Sequence, residues 1–548
     1  MRRTGRRHDI APYGGARSPG RTLAGVAAVL AVTAGVLYGG FVLLAAGPDD
    51  PEVVAARGRF ERFLDAWESG DARRAGRLTD RPADAESLIR SVMTNLGPSR
   101  TEITPGAGER TDRGAVAIPF TVRMTLPGAG RHAWDSTADL LRRGGTWKVE
   151  FRTPVIHPEM APGQTLALKR RARAPILARD GRRLRSASLV GTVDPATGRG
   201  TSGLQARYDE QLVGSGGVPN RMVVVERASG RVVRALTTPR GPGGTPVRTT
   251  VDQRVQQAAA DALRDVDGDA ALVAIQPSSG HILAAANVPA GMNRALVGHY
   301  PPGSTFKVVT AAALLERGMR VSDRAACPRF AYANGQRFEN QDRFVLPRGA
   351  TLRDAFAKSC NTFFVRSRKK FSDSALHDTA GAFGVGGTWD VGAATFDGSV
   401  PVADGDNDKA ASTIGQGRVQ VSPLVMASIA ATVKQGEFAQ PVLVPGKVRH
   451  RHRATRRLAP EVVDGLRDMM RATVTYGAAA ALRDVPGEPH AKTGTAEFGD
   501  GTPPRTHAWM IGYQGRQDLA WAVLLADGGS GSADAGPVAV RFLRNLDR

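Results

Sequence analysis

Three short motifs, Ser304-Thr305-Phe306-Lys307, Ser359-Cys360-Asn361 and Lys492-Thr493-Gly494-Thr495, stand in a fixed order along the chain. Each is weak alone. A Ser-x-x-Lys tetrad by itself is more often an N-cap serine followed by a solvated lysine. A lone Ser-x-Asn or Lys-Thr-Gly reads as a turn. The ordered set is a much stronger constraint, because each member supplies a part that acyl transfer through a serine ester requires. To act together, three segments far apart in sequence must meet at one point.

A serine hydroxyl is a poor nucleophile at neutral pH and needs a base within hydrogen-bonding reach. Pro301, Pro302 and Gly303 read as a loop, and residues 304–317 as a helix with Gly318 as its C-cap. Residues three apart share a helix face, so Lys307 lies one turn from Ser304. An ammonium cannot accept a proton, so a basic Lys307 must be neutral, and burial lowers a lysine's pKa. The positive end of the helix dipole favours negative charge on Ser304. Residues 352–358 have an amphipathic helical pattern leading into Ser359 and Asn361. Residues 490–498 read as a strand, followed by strands at 507–513 and 519–526, an antiparallel meander walling one side of a cleft. On that strand Lys492 supplies positive charge, the hydroxyls of Thr493 and Thr495 suit a carboxylate, and Gly494 leaves room for a substrate.

The motif set resembles the penicillin-binding protein and serine β-lactamase superfamily. Flanking stretches extend the resemblance: Ala274-Ile275-Gln276-Pro277-Ser278-Ser279-Gly280-His281-Ile282-Leu283-Ala284, then Asn293-Arg294-Ala295 leading to Tyr300-Pro301-Pro302-Gly303, and Ile414-Gly415-Gln416-Gly417 followed by Val421-Ser422-Pro423. The resemblance implies that Ser304, Lys307, Ser359 and Lys492 are catalytic, and that Asn361, Thr493, Gly494 and Thr495 bind substrate. By the same resemblance Ser359 shuttles a proton between Lys307 and the leaving or attacking amine, and Asn361 hydrogen-bonds the substrate amide. The resemblance also implies that the backbone N–H groups of Ser304 and Thr495 form an oxyanion hole. Three positions depart from the family pattern: Ala491 where a glycine is usual, Tyr476-Gly477-Ala478 where Gly-Thr is frequent, and Asp527 in place of a common glutamate. Each would reshape the cleft rim, and together with an N-terminal extension domain they point to low β-lactam affinity.

The chain has 548 residues, enough for two or three domains with substantial cores. The expected fold class is α+β and multidomain. Six arginines (Arg2, Arg3, Arg6, Arg7, Arg17 and Arg21) form a basic cytoplasmic tail over 1–21, ahead of an apolar run at 22–46 long enough to span a bilayer as a transmembrane helix. A cleavable signal peptide competes, but the apolar run is long for one. Residues 50–155 combine a helical stretch at 53–79, with Phe60, Phe63, Leu64 and Trp67 on one stripe, and strands at 115–125, 133–141 and 147–152. That order resembles the nuclear-transport-factor-2-like extension domain of some class B penicillin-binding proteins, a cone-like α+β spacer. Residues 156–245 resemble the pedestal or dimerisation region. Residues 246–548 resemble the transpeptidase domain, an antiparallel sheet flanked by helices.

Net charge is +22, with arginine far outnumbering lysine. Attraction to anionic lipid and wall polymers is one reading of it, and an Arg/Ala/Gly-rich coding bias is the plainer one. No nucleic-acid-binding motif is present. The cysteines Cys327 and Cys360 are compatible with a disulfide outside the cell or with two buried free thiols. Too few ligands accompany them for zinc, and no cofactor is expected. The resemblance implies a peptidoglycan D,D-transpeptidase, anchored in the cytoplasmic membrane with an extracytoplasmic catalytic domain and inhibited covalently by β-lactams. Its substrates would be stem peptides on lipid-linked glycan strands. Residues 48–245 are too short for a glycosyltransferase domain, so a separate glycosyltransferase and cell-wall assembly proteins are implied as partners. The alternatives are a non-catalytic scaffold, a β-lactam sensor, a D,D-carboxypeptidase and a β-lactamase.

Overall fold

The computed structural model describes residues 50–170, 172–195, 197–214, 220–237, 242–499, 501 and 503–547. The expected tail at 1–21 and transmembrane helix at 22–46 lie outside the described residues. Among the described residues no helix is long and apolar enough to cross a membrane. The chain divides into two compact units. The first ends at Lys169 and takes up the chain again from Asn220; the second begins at Arg170 and holds most of the remainder.

In the first unit the helical stretch expected at 53–79 is two helices, Pro51–Glu68 and Ala72–Arg77. The break is chemical. Gly70 takes a left-handed φ of 76°, and the Asp71 side chain accepts the Arg74 N–H at 2.9 Å, which starts a new helix. A third helix, Pro82–Leu96, ends at left-handed Gly97. Strands Arg100–Pro105, Val116–Leu126, Gly130–Arg143 and Thr146–Val149 pair in that order, all antiparallel, with Glu109–Arg110 on the side of Val116–Leu126. Alternate residues from Val116 to Leu126 are buried, the period of two that a half-buried strand requires. Phe60 and Trp67 meet Phe120 of that strand edge-on, and Phe63 packs against Phe60 and Trp67 in the same aromatic cluster.

The 156–245 stretch, expected as one pedestal region, divides between the two units. Gln164–Arg170, Asn220–Glu226 and Val232–Ala235 form a three-stranded sheet, and Leu166, Met222 and Val224 fill the core around Phe60 and Trp67. The short helices Ala187–Val190, Gly203–Arg207 and Asp209–Val213 instead send Leu189, Leu204 and Leu212 into the core around Phe306. Side-chain burial, not sequence order, sorts these segments.

The second unit is built on a five-stranded antiparallel sheet in the order His281–Val288, Ala270–Gln276, Leu519–Leu525, Arg505–Gln514, Pro489–Phe498. Both faces are covered. Ala271, Val273 and Ile275 point into one core and Ala270, Leu272 and Ala274 into another. Every residue of Leu519–Leu525 is accordingly buried. Helix Pro423–Gln435, buried from Pro423 to Val433, packs on the first face. Helices Gln253–Leu263 and Gly536–Leu546 close the second. Helix Pro460–Thr475 lies against both Pro489–Phe498 and helix Leu352–Ala357, which brings the middle and last motifs together. Cys327 and Cys360 form a disulfide, resolving the choice between bridge and free thiols.

Phe120→Ala should destabilise the first unit by about 3–5 kcal/mol, read as a lower denaturation midpoint while the second unit's transition stays in place. Thiol titration of the denatured, unreduced chain should return no free thiol, with two appearing after reduction.

Candidate active site

Ser304 does not start an α-helix. Gly303–Phe306 is a turn of 3-10 helix, and the α-helix begins at Lys307 and runs to Leu315. The expectation of one helix over 304–317 is corrected there. The tighter turn is held by Thr305 Oγ1 donating to Pro302 O at 2.7 Å and Trp509 Nε1 donating to Pro301 O at 3.0 Å. It still carries Lys307 back to the serine, with Nζ 2.9 Å from Ser304 Oγ.

The middle motif is a strained turn between two helices. Helix Leu352–Ala357 starts with a capping box, in which Thr351 Oγ1 accepts the Asp354 N–H and Asp354 Oδ2 accepts the Thr351 N–H. Ser359 then adopts a left-handed φ of 60°, a conformation that costs a residue with a side chain about 1–3 kcal/mol. Cys360 caps the next helix, Asn361–Ser367, its sulfur accepting the Phe363 N–H at 3.3 Å. Asn361 Nδ2 donates to Glu339 O at 3.0 Å, which aims Oδ1 at the lysine.

The three motifs meet in one polar cluster. Lys307 Nζ lies 2.6 Å from Asn361 Oδ1, 2.9 Å from Ser359 O and 3.2 Å from Ser359 Oγ. Lys492 Nζ donates to Ser359 Oγ and to Thr493 O, both at 2.9 Å. The Ser359 hydroxyl thus sits between two amines. Both lysines are fully buried, over the rings of Phe364 and Phe356 respectively. Neither has a carboxylate partner among the described residues. Burial pushes Lys307 well below the usual lysine value of 10.5, and the nearby Lys492 charge pushes it the same way. Burial lowers Lys492 to about 7. An isolated buried cation is unfavourable, and loss of the proton relieves that cost.

Thr493, Gly494 and Thr495 follow Lys492 on the edge strand Pro489–Phe498. Gly494 differs from expectation. A Cβ there would lie 2.8 Å from Thr305 Cγ2 and 2.9 Å from Pro302 O, so its side is occupied by the nucleophile turn and not open to a substrate. The glycine permits close approach of strand and turn. Thr495 Oγ1 accepts the Gly531 N–H at 3.3 Å. All eight residues singled out from the sequence therefore lie in or beside this cluster.

The segment after helix Pro460–Thr475, read from the sequence only as a departure that reshapes the cleft rim, is tied by the structure to the middle motif. Ala478 N donates to Ala357 O at 2.9 Å, Lys358 Nζ to Tyr476 O at 2.6 Å, and Tyr476 Oη to Asp354 Oδ1 at 3.0 Å. A Cβ on Gly477 would come within 2.4 Å of Ala357 O. The Tyr476-Gly477-Ala478 departure is thus a clasp on the turn that presents Ser359. Ala491 is fully buried in the core on the sheet's second face. Among the described residues no group of three or more His, Cys, Asp or Glu side chains could hold a metal ion.

Comparison with known proteins agrees with this geometry. Residues 270–546 match the penicillin-binding protein transpeptidase domain, and residues 55–164 match the NTF2-like N-terminal transpeptidase domain. The peptidoglycan D,D-transpeptidase PbpA of Mycolicibacterium smegmatis is 32% identical over 409 residues, covering 62% of this chain and 78% of the relative. Its Mycobacterium tuberculosis counterpart is 31% identical over 379 residues, covering 57% and 74%. The penicillin G acyl-enzyme complex of penicillin-binding protein A from M. tuberculosis superimposes with a TM-score of 0.56 at 28% identity, covering 69% of this chain and all of that one. The chain belongs to the penicillin-binding protein transpeptidase family, with an NTF2-like N-terminal domain preceding the transpeptidase domain.

Proposed function

We propose that this chain is a class B peptidoglycan D,D-transpeptidase that cross-links stem peptides through an acyl-enzyme on Ser304. The observation that carries the reading is the pair of buried lysines, unpaired by any carboxylate among the described residues, meeting at Ser304 and Ser359. A neutral Lys307 amine has two N–H donors and one lone pair. With the donors on Ser359 O and Asn361 Oδ1, the lone pair faces Ser304 Oγ.

Ser304 Oγ attacks the penultimate D-Ala carbonyl of a donor stem while Lys307 takes the hydroxyl proton. The backbone N–H groups of Ser304 and Thr495 stabilise the oxyanion. As the C–N bond breaks, the proton passes through the Ser359 hydroxyl to the leaving D-Ala amine, and Lys492 holds that hydroxyl in place. The ester is then attacked by an amine of a neighbouring stem, whose proton returns along the same path to Ser304 Oγ. The cation of Lys492 and the hydroxyls of Thr493 and Thr495 bind the donor's terminal carboxylate. Asn361 binds its amide. A β-lactam acylates Ser304 by the same steps, but its leaving amine stays tethered and the ester persists.

In this reading residues 22–46 anchor the chain in the cytoplasmic membrane behind the tail at 1–21, and the remainder is extracytoplasmic. Residues 50–155 act as the spacer, 156–245 contribute the pedestal, and 246–548 form the catalytic domain. A separate glycosyltransferase supplies the glycan strands.

Full-length protein should be labelled stably by a fluorescent penicillin, and Ser304→Ala and Lys307→Ala should each abolish labelling; rapid turnover of the drug, or labelling that survives Ser304→Ala, would sink the reading. A second outcome concerns pH. Acylation needs the neutral amine, so its rate falls as pH drops through the Lys307 pKa, and the acid limb should lie well below 10.5. Removing the neighbouring positive charge by Lys492→Met lets Lys307 hold its proton more tightly, so the limb of this slower variant should move to higher pH. A limb that stays fixed would show that the two amines do not sense each other.

A further inference from the structure

The segment over residues 413–416 contacts three parts of the active site. Thr413 O accepts the Thr310 hydroxyl at 2.9 Å from the nucleophile helix. Gly415 O accepts the Gly303 N–H at 2.9 Å from the nucleophile turn. A Cβ on Gly415 would fall 2.2 Å from Gly303 O, so backbone packs directly on backbone. The third contact is the Gln416 carboxamide. Its Oε1 accepts the Glu497 N–H at 2.8 Å and its Nε2 donates to Glu497 O at 3.3 Å, the orientation that satisfies both amide atoms.

That contact has a directional consequence. Pro489–Phe498 is the edge strand, paired on one side only with Arg505–Gln514. In an antiparallel strand a residue's N–H and C=O point to the same side, and successive residues alternate. Glu497 gives both groups to Gln416, so it faces the open edge. Thr495, two residues earlier, presents its own N–H and C=O to that same edge. The nucleophile turn lies there, since a Cβ on Gly303 would come within 2.5 Å of Thr495 O. Gln416 therefore takes the place of a missing strand partner at the residue that sets the pleat for Thr495.

We propose that Gln416 is a positioning residue for acyl transfer: it fixes the aim of the Thr495 N–H at the oxygen that gains charge when Ser304 attacks. The proposal rests on the acyl-enzyme reading above. Gln416 touches neither substrate nor reacting atoms. It acts through the Glu497 backbone, while Gly415 and Thr413 hold the other end of the segment on the nucleophile turn and helix. An oxyanion-hole donor contributes strongly only when it is held in place before reaction. On an edge with no partner strand, Gln416 supplies the hydrogen-bond pair that a neighbouring strand would give at Glu497.

The test uses the full chain and a fluorescent penicillin in stopped flow, separating the Kd of the initial complex from the acylation step k2. Gln416→Met keeps the side-chain length and removes both hydrogen bonds. Gln416→Glu keeps the acceptor and turns the donor into an oxygen facing Glu497 O. Both variants should lower k2 by at least about 10-fold, less than the about 100–1000-fold cost of removing an oxyanion donor outright because the donor is misaimed and not lost, with initial Kd and melting temperature close to wild type. Acylation of Gln416→Met at the wild-type k2 would overturn the proposal. So would a loss shared equally among k2, Kd and melting temperature in both variants, which marks a purely structural role. A wild-type chain that penicillin never acylates overturns the acyl-enzyme reading, and the proposal falls with it.

Discussion

Two amines removed from water without a counter-charge organise the catalytic unit. Lys307 and Lys492 are fully buried, and their hydrogen-bond partners are neutral oxygens: two hydroxyls, two backbone carbonyls and one side-chain amide. A carboxylate in that space would hold Lys307 protonated and useless as a base. Neutral acceptors satisfy the N–H groups while leaving the proton easy to lose. Much of the surrounding structure serves to keep those acceptors where they are. The left-handed Ser359, the Cys327–Cys360 bridge, the Thr351–Asp354 capping box and the Tyr476 clasp all bear on one turn.

The second constraint is close approach of backbones. Gly303, Gly415, Gly494 and Gly531 each sit where an added Cβ would fall within 3 Å of main-chain or side-chain atoms of the neighbouring active-site segment. Gly303 meets Thr495, Gly494 meets the Pro302–Thr305 turn, Gly415 meets Gly303, and Gly531 meets Gly494 and Trp509. Four segments are thus drawn together with no side chain on the glycine side of each contact. The geometry of nucleophile and edge strand is set by main-chain contact, which is stiffer than contact through rotatable side chains.

The motifs were legible because they are local and their chemistry is specific: Ser304 with Lys307, Ser359 with Asn361, and Lys492 through Thr495 are each a few residues long. Strand periodicity at 490–498, 507–513 and 519–526 was legible for the same reason. The 3-10 turn at Ser304 was not, because it depends on Trp509 and Pro302 holding the backbone, and Trp509 is distant in sequence. Gly494 was misread because its neighbour across the gap, Thr305, lies far earlier in the chain. The break near Gly70 did carry a local signal, a glycine followed by a capping aspartate, outweighed by the aromatic stripe that runs through it. Pairing of Gln164–Arg170 with Asn220–Glu226 has no local signature at all, since the core that Leu166 and Met222 complete is formed by helices and strands that precede them.

That last feature bears on how the molecule comes into being. Synthesis delivers the chain N-terminus first, yet the first unit lacks its Asn220–Glu226 and Val232–Ala235 strands until some fifty residues of the second unit have emerged. Until then Leu166 has no Met222 or Val224 beside it, and one side of that core waits open to solvent. The boundary at which sequence similarity to the NTF2-like domain stops, residue 164, is accordingly not the boundary at which the unit can finish folding. The two units are successive in similarity but interleaved in assembly.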